Sequence, residues 1–367
     1  MTRRDMALSS IAAAAALNAD TFAGPRFDPV AWSRERHKAA PLRYRFAANS
    51  PAAVKSWQRK LRTKITELIG GFPAQAPVLA PRITQTADLG TYTRETIHFT
   101  SREGLEVFSY LLKPKDAKGP LPVMVCVPGH GRGVDDIVGL DDKGQQRSGK
   151  GGYQNDFAIQ FVEQGMAALA IEPIAFGHRR DPINAAKGPN QNSCQPAAGA
   201  ALLFGETMIG WRVYDVMRAI DFVESRKDLD ARRLGCVGIS GGGTCTLFAS
   251  ALDTRIQAAM VSGYLCTFHD CILSLAHCMD NYVPGILNWA EMSDVAGLIA
   301  PRPLFVETGE QDRIFPLAGF EQAFAETRRV YEALGAATAL EREVHSGGHV
   351  FHGVKGVPFL ANYLKGL

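Results

Sequence analysis

The sequence predicts an α/β fold in which a mostly parallel central sheet carries helices on both faces. Beyond residue 114, short apolar runs alternate with longer amphipathic segments, a pattern typical of strand–helix units in a parallel sheet. Before that point, residues 92–99 and 105–112 flank Ser101-Arg-Glu-Gly104, which predicts an antiparallel hairpin. Antiparallel strands are therefore expected at the N-terminal edge of the sheet.

The elements follow in order along the chain. A helical pattern over residues 51–71, broken by Gly70-Gly71-Phe72-Pro73, predicts a helix packed outside the sheet. Uninterrupted apolar runs predict strands buried on both faces, at residues 121–127, 167–171, 234–237, 258–262, 303–308 and 340–344. Helices are expected between them, at residues 157–164, 211–225 and 318–334.

Two connections are long for simple turns. Residues 129–155 and 177–210 are both rich in Gly, Asn, Asp and Pro. Long connections at the carboxyl ends of parallel strands usually build a binding site. We expect these two segments to form pocket walls or a partial cap.

The N-terminus combines a basic start, a short apolar segment and small residues. Arg3 and Arg4 precede an alanine-rich run that ends at Leu17, and small residues follow near Ala19. Residues 1–19 resemble a twin-arginine export signal, which predicts a periplasmic or extracellular protein; without a signal the location would be cytoplasmic. The apolar run is too short to span a bilayer, so no stable membrane insertion is expected.

Composition limits the partners and cofactors. The chain of 367 residues is 46% apolar and 21% charged, and its net charge of +3 is too small to indicate nucleic acid as a partner. Seven cysteines leave at least one thiol unpaired, and the sequence leaves the disulfide pairing open. Three of them lie close to His269 and His277, but the spacing matches no common zinc pattern: Cys266, Cys271 and Cys278. We therefore expect no metal and no organic cofactor.

The most informative local pattern is Gly238-Ile-Ser-Gly-Gly242, which lies between a predicted strand and a predicted helix. This arrangement predicts a nucleophile elbow, although a glycine-rich turn with an incidental serine is the alternative. The glycines admit a turn too tight for larger side chains, so Ser240 would stand exposed above the sheet. The N-terminus of the following helix, through the N–H of Gly241, would favour an oxyanion beside Ser240.

A serine nucleophile needs a base, and three histidines near the C-terminus compete for that role. His349 is preferred because it follows Gly347-Gly348 in a loop, where a side chain can be presented to a site. His345 lies at the end of a predicted strand, and His352 is a further surface candidate.

The base in turn needs a carboxylate that orients its ring. Glu307, Glu310 and Asp312 are rivals, and Glu307 is discounted because it still lies within the strand. Asp312 is preferred because Ile314 and Phe315 can anchor its loop against the core, whereas Glu310 is expected to point to solvent.

A glycine-rich loop, Gly129-His-Gly-Arg-Gly133, follows the first buried strand. We assign a second oxyanion donor to the backbone N–H of Arg132, with Gly131 as the near alternative, to act together with Gly241. His130 and Gly131 are expected to contact the substrate. A phosphate-binding loop is excluded because the segment lacks both a Lys-Ser/Thr pair and a G-x-G-x-x-G pattern followed by an acidic residue.

From residue 91 onward the chain resembles the α/β-hydrolase superfamily, specifically its dienelactone-hydrolase-like and acetyl-xylan-esterase-like branch, which includes esterases associated with polysaccharide utilisation. The order Ser, acid, His matches the superfamily. A true dienelactone hydrolase has a cysteine where Ser240 stands. The residues that carry the resemblance are Gly129-His-Gly-Arg132, Gly205-Glu-Thr-Met-Ile-Gly-Trp-Arg212, Gly238-Ile-Ser-Gly-Gly242, His277-Cys-Met-Asp-Asn-Tyr-Val-Pro-Gly285, Gly309-Glu-Gln-Asp312 and Gly347-Gly-His349.

The resemblance implies that residues 91–367 form the catalytic domain and that residues 20–90 form an N-terminal helical extension packed on its core. It also implies ester hydrolysis, often the deacetylation of carbohydrates. We therefore expect a serine carboxylic-ester hydrolase that acts through an acyl-enzyme on short-chain esters, with carbohydrate acetates among the candidate substrates. Peptidase, lactonase or glucuronoyl esterase activity on the same fold, and a non-catalytic binding protein, are the alternatives.

Overall fold

The computed structural model describes residues 28–149 and 151–367, so the predicted export signal lies outside the described residues. Two compact units divide the chain, residues 1–40 and 41–367. In the first unit the described element is helix α1 (Pro29–Lys38), which begins where the Asp28 carboxylate accepts hydrogen bonds from the N–H groups of Val30 and Ala31.

The second unit is built on a nine-stranded sheet in the order β1-β2-β3-β5-β4-β6-β7-β8-β9. The first three strands and the β3–β5 pair are antiparallel, and all pairs from β5 to β9 are parallel. The strands are β1 (Arg82–Asp88), β2 (Tyr92–Arg102), β3 (Leu105–Pro114), β4 (Leu121–Val127), β5 (Ala167–Ile171), β6 (Leu229–Ile239), β7 (Ala258–Ser262), β8 (Leu304–Gly309) and β9 (Leu340–His345). The predicted fold class is confirmed.

Helices cover both faces of this sheet. They are α2 (Pro51–Leu68), α3 (Val134–Ile137), α4 (Phe157–Glu163), α5 (Pro182–Ala186), α6 (Cys194–Leu203), α7 (Met208–Ser225), α8 (Gly241–Leu252), α9 (Met292–Gly297), α10 (Leu317–Ala333) and α11 (Gly356–Gly366). None of the described helices combines the length and apolarity needed to cross a membrane.

Alternation along the central strands divides the core into two layers. In β4, Val123 and Val125 pack into the layer formed with α2, α7, α8, α9 and α10, whereas Met124 and Cys126 pack into the layer formed with α4 and α11. All seven β4 residues are buried because neighbouring side chains point to opposite faces of the sheet and each face is covered by helices. This burial explains why the central strands are uninterrupted apolar runs in the sequence.

The sheet begins earlier in the chain than expected. Strand β1 pairs with β2, so residues assigned to the N-terminal extension contribute an edge strand. Its sequence, Arg-Ile-Thr-Gln-Thr-Ala-Asp, has no apolar alternation, and six of its seven residues are exposed. A solvated edge strand has no buried face to impose the period-two pattern by which strands are recognised. Helix α2 lies where the sequence predicts it.

Three long connections gather at the carboxyl ends of the parallel strands. Residues 128–156 contain the short helix α3, and residues 172–207 contain α5 and α6. The first connection contributes His130 and Tyr153 to the wall of the cavity that contains Ser240, as expected, whereas no residue of the second lines that cavity. Residues 263–291, between β7 and α9, form a third connection that the sequence analysis does not single out. In a parallel sheet this edge is where binding sites form.

Candidate active site

Ser240 occupies a strained turn between β6 and α8. Its backbone has φ 57° and ψ −123°, a region that non-glycine residues rarely adopt. The neighbouring glycines are sterically required: a Cβ on Gly238 would lie 2.4 Å from the carbonyl oxygen of Gly242, and one on Gly242 would lie 2.0 Å from that of Val127. The turn therefore has the geometry of a nucleophile elbow, with Ser240 at the N-cap of α8.

Asp312 and His349 form a hydrogen-bonded pair at the ends of two neighbouring strands. His349 Nδ1 lies 2.7 Å from Asp312 Oδ2, and the two side chains are 15% and 1% exposed. The other carboxylate oxygen, Oδ1, accepts the N–H groups of Ile314 at 2.8 Å and Phe315 at 3.0 Å. These bonds fix the carboxylate in one orientation, as a residue that orients an imidazole requires.

The environment of Asp312 favours its ionised form. Burial by itself would raise the pKa of this carboxyl, but the hydrogen bond and charge of His349 and the two backbone N–H donors outweigh it. The pKa of Asp312 consequently lies below its ordinary value. At neutral pH the pair thus contains a carboxylate that accepts the Nδ1–H of the ring.

The other ring nitrogen of His349, Nε2, takes no part in the pair with Asp312. Among the described residues, the buried Nε2 has no hydrogen-bond partner. The ring is held between Tyr153 and Phe315, both stacked at 5.7 Å between centroids. Since Nδ1 is bonded to Asp312, Nε2 is the ring nitrogen left available for a further hydrogen bond, and Ser240 lines the same cavity.

Close packing from the end of β7 also positions the histidine. Gly263 has φ +50°, and a Cβ at this position would lie 2.9 Å from Cε1 and 3.1 Å from Nδ1 of His349. Only glycine therefore fits both the backbone and the space. The sequence analysis assigns no role to Gly263, because its function depends on a contact with a residue 86 positions later in the printed sequence.

The rival carboxylates have other environments. Glu307 is buried and accepts bonds from Ser262 Oγ at 2.7 Å and from the N–H groups of His352 and Gly353 at 2.9 Å each, so it ties β8 to the C-terminal loop. Glu310 is exposed at the surface. Asp312 is the one of these three carboxylates that contacts the candidate base.

The rival histidines lie together, away from this pair. The rings of His345 and His352 stack at 4.8 Å, and His352 Nδ1 lies 3.2 Å from Glu343. His345 Nδ1 accepts the N–H of Gly347 at 3.1 Å. Neither histidine lines the cavity that contains Ser240.

The loop after β4 lies directly against Ser240. A Cβ on Gly129 would be 3.1 Å from Ser240 Cβ. However, the N–H of Arg132, predicted as the second oxyanion donor, donates to Asp136 Oδ2 at 2.8 Å. This hydrogen bond ties the loop to a residue of α3, so the N–H of Arg132 already has an acceptor. Gly131, the near alternative, has φ +147° and donates its N–H to no group among the described residues.

Ser240 and His349 share a cavity of 380 Å³. Of the loop residues predicted to contact substrate or oxyanion, His130 lines it, whereas Gly131 and Arg132 do not. The lining residues are His130, Tyr153, Ser240, Leu275, Ala276, His277, Cys278, Asn281, Ile314, Phe315 and His349. Five of these come from residues 275–281, in the connection that the sequence analysis does not single out. The only signal there is the motif His277-Cys-Met-Asp-Asn281, which supports the resemblance but predicts no role.

In that segment, the ring of His277 has a nitrogen that lacks a hydrogen-bond partner among the described residues. This nitrogen, Nε2, is buried. Burial lowers the pKa of the His277 imidazole, so the ring is neutral at pH 7 and offers one donor or acceptor to a bound molecule. The cavity therefore combines apolar walls with a few polar atoms, as small-molecule sites usually do.

His130 also belongs to a cluster of potential metal ligands beside Gly241. Its ring packs against Gly241, where a Cβ would lie 3.2 Å from Cε1 and Nδ1. The other members are Cys194, Cys278 and Asp280, and all four donor atoms lie within 4.8 Å of one another. These residues could hold a metal ion next to the N-terminus of α8.

Comparison with known proteins agrees with this fold. A "Putative hydrolase YtaP" of Bacillus subtilis (strain 168) is 27% identical over 83% of this chain and 98% of its own length. The structure of a "putative acetyl xylan esterase" from Bacteroides fragilis NCTC 9343 has a TM-score of 0.74 at 19% identity, over 90% of this chain and 84% of that one. A glucuronoyl esterase from Solibacter usitatus has a TM-score of 0.63 at 18% identity, over 86% and 93% of the two chains. Because the family model Abhydrolase_7, described as an Abhydrolase family, matches residues 36–334, the chain belongs to this α/β-hydrolase family.

Proposed function

We propose that this protein is a serine carboxylic-ester hydrolase with a Ser240–His349–Asp312 catalytic triad. The observation that carries the proposal is the placement of the histidine. Asp312 holds its Nδ1 at 2.7 Å, its buried Nε2 is unpaired among the described residues, and it shares a cavity with a serine on a strained elbow. This is the arrangement that acyl transfer through a serine requires.

The steps follow from the geometry. Ser240 Oγ attacks the acyl carbonyl carbon while His349 Nε2 accepts its proton, and the carboxylate of Asp312 stabilises the imidazolium. The N–H of Gly241 at the start of α8 and, in place of Arg132, the N–H of Gly131 stabilise the oxyanion. The imidazolium then protonates the departing alcohol. Water, deprotonated by the same nitrogen, releases the acid and restores Ser240.

We infer that the substrates carry short acyl groups such as acetyl. The 380 Å³ cavity is near the lower end of the range for ligand sites, roughly 300 to 1,000 Å³, and leaves little room for a long chain. Its polar groups, His277 among them, suit an alcohol that bears hydroxyls. The names of the acetyl xylan esterase and glucuronoyl esterase structures also support carbohydrate esters as the class to test first.

Covalent labelling tests the nucleophile. The purified chain is treated with a fluorophosphonate and digested, and the modified peptide is identified by mass spectrometry. We expect the label on Ser240, and Ser240→Ala should fold normally and lose about 10⁴- to 10⁶-fold in kcat. Label on another serine, or full activity in Ser240→Ala, would refute the triad.

A substrate panel separates the alternatives on this fold. It contains p-nitrophenyl acetate, acetylated xylo-oligosaccharides, an alkyl ester of glucuronic acid, a lactone and a peptide. We expect turnover of the acetyl esters. Exclusive turnover of the glucuronic acid ester, the lactone or the peptide would identify that alternative instead, and no turnover of any of them would favour a binding protein.

We also propose that residues 1–19 direct export through the twin-arginine route. The pair Arg3-Arg4 before a short apolar segment supports this proposal. Replacing both arginines by lysine in a bacterial host should retain the protein in the cytoplasm. An unchanged distribution between cytoplasm and periplasm would contradict the proposal.

A further inference from the structure

Four side chains of metal-binding type meet behind the N-terminus of α8. They come from three segments that are far apart in sequence: the loop after β4, the start of α6 and the connection after β7. They are one imidazole, two thiols and one carboxylate: His130, Cys194, Cys278 and Asp280. We propose that these four residues form a zinc site.

The distances between the donors match a tetrahedron around zinc. Zinc–ligand bonds of about 2.0 to 2.3 Å at tetrahedral angles separate the ligand atoms by about 3.3 to 3.8 Å. Cys194 Sγ lies 3.8 Å from His130 Nε2 and 3.6 Å from Asp280 Oδ2, and the latter two atoms are 3.5 Å apart. The thiol of Cys278 completes the group, with all four donors within 4.8 Å of one another.

Neighbouring groups hold the donors in fixed orientations. Arg212, whose side chain is 3% exposed, donates to Asp280 Oδ2 and, at 3.4 Å, to Cys194 Sγ. Its guanidinium is fixed by the Ile174 carbonyl oxygen at 2.7 Å and by the ring of Phe176 at 4.2 Å. A carboxylate oxygen and a thiolate each retain a lone pair for the metal when they accept such bonds.

The charges also balance. Two thiolates and one carboxylate contribute three negative charges, and Zn²⁺ with the buried Arg212 contributes three positive ones, while His130 binds as neutral imidazole. A buried group of charges is stable only when it is compensated in this way. On binding, zinc replaces the protons of Cys194 and Cys278, which leave to solvent, so no oxidation or reduction takes place.

The chemistry of the donors selects the metal and its role. Two sulfur ligands with imidazole and carboxylate in a tetrahedron favour zinc over magnesium or calcium, which prefer oxygen. Four protein ligands leave no open position, so the ion is structural. It would fasten the His130 loop to residues 278–280 and to α6, and so hold the wall of the cavity beside Gly241. Sequence spacing does not reveal the site because its donors lie in three separate segments.

Metal analysis of the full chain tests this proposal. The protein is expressed with zinc in the medium, freed of any affinity tag, dialysed and measured by inductively coupled plasma mass spectrometry. We expect about one zinc per chain in the wild type, and at least a tenfold lower content in Cys194→Ser and Cys278→Ser. The matched control is Cys266→Ser, which removes a buried thiol outside the cluster and should keep the zinc.

Two measurements on the wild type do not depend on how the variants fold. Replacement of zinc by cobalt(II) should produce the visible bands of tetrahedral cobalt together with a thiolate-to-cobalt charge-transfer band. Alkylation with iodoacetamide in denaturant without reductant should modify all seven cysteines. A wild type without zinc or a cobalt spectrum, zinc retained equally by both cluster variants, or a Cys194–Cys278 disulfide would each overturn the proposal.

The outcome is independent of the proposed esterase activity. Ser240→Ala should keep its zinc, because Ser240 is not a ligand, while losing its reactivity. An inactive protein with one zinc would refute the esterase and retain the metal site, and an active protein without zinc would do the reverse.

Discussion

At the scale of single residues, Asp312 and Glu310 are two positions apart and lie in opposite environments. Asp312 is buried, bonded to His349 and held by two backbone N–H groups, whereas Glu310 is exposed. A short side chain in a loop anchored by Phe315, which is 2% exposed, is fixed well enough to orient a ring. The sequence analysis prefers Asp312 because Ile314 and Phe315 are expected to anchor its loop against the core. Phe315 is buried as expected, whereas Ile314 is 36% exposed, and the catalytic role of Asp312 stays a prediction.

Replacing that carboxylate should impair catalysis without unfolding the protein. In Asp312→Asn the ring of His349 loses its oriented tautomer and the charge that stabilises its imidazolium, so kcat should fall by about 10²- to 10⁴-fold. Glu310→Gln is the matched control and should change kcat by less than about tenfold. Circular dichroism first checks that both variants are folded, and their initial rates on p-nitrophenyl acetate are then compared. A severe loss of kcat in Glu310→Gln with a nearly normal Asp312→Asn would assign the triad carboxylate to Glu310 instead.

Gly263 allows a second residue-scale prediction. In Gly263→Ala the new methyl group would meet the ring of His349 and the backbone would be strained, so kcat should fall about 10- to 100-fold through displacement of the base. Gly335→Ala carries the same kind of strain at φ +68° but has open space around it, so its kcat should stay near the wild-type value. Equal activity of the two variants would show that the contact with His349 is unimportant.

At the scale of elements, the ends of β4 and β5 are joined by one buried carboxyl. Glu172, just after β5, accepts the N–H of Val134 at the start of α3 and that of His178. It packs so closely that a Cβ on Gly133 would lie 2.0 Å from its Oε1. Burial raises the pKa of Glu172 from 4.5 to about 7, mainly because the charged form loses its hydration.

This shift predicts how stability depends on pH. Between pH 4.5 and about 7 the folded chain holds a proton on Glu172 that the unfolded chain has lost, so this group makes the free energy of unfolding fall as pH rises, by on the order of 3 kcal/mol before it levels off. Glu172→Gln cannot titrate there. Urea denaturation at pH 5, 6, 7 and 8 should therefore show the variant gaining stability relative to the wild type up to about pH 7, and a constant difference would refute the pKa shift.

At the scale of the whole molecule, the sheet brings its long connections to one edge, where a small cavity lies. Leu275, Ile314 and Phe315 are among its apolar walls, but the volume is 380 Å³. An acyl chain that fits can gain about 0.8 kcal/mol for each buried methylene, and one that does not fit gains nothing. The size of the cavity, rather than its polarity, should therefore limit the acyl length.

The expected result is a preference for short esters. On p-nitrophenyl esters, kcat/KM should be highest for acetate or propionate and fall by at least about tenfold at octanoate. A steady rise from two to eight carbons would indicate room for a long acyl chain and would contradict a limit set by the volume of the cavity. Esters of equal acyl length with different alcohols serve as controls, since they vary the leaving group alone.

Some features were determined by the sequence alone because their signals are local. The elbow around Ser240 depends on glycines within two positions of it, and the central strands depend on uninterrupted apolar runs. Both patterns reflect sterics and burial that act over a few residues, so the fold class and the positions of Ser240, Asp312 and His349 could be predicted. Strand β1 escaped prediction because an exposed edge strand carries no such pattern.

Other features were decided only by the tertiary structure because they depend on residues that meet from distant segments. The Arg132 amide is occupied by the side chain of Asp136, the ring of His349 needs the empty space at Gly263, and the cavity wall comes from residues 275–281. The proposed zinc ligands likewise come together from three connections. No local pattern encodes these contacts, since they arise where the parallel strands end and their loops pack against one another.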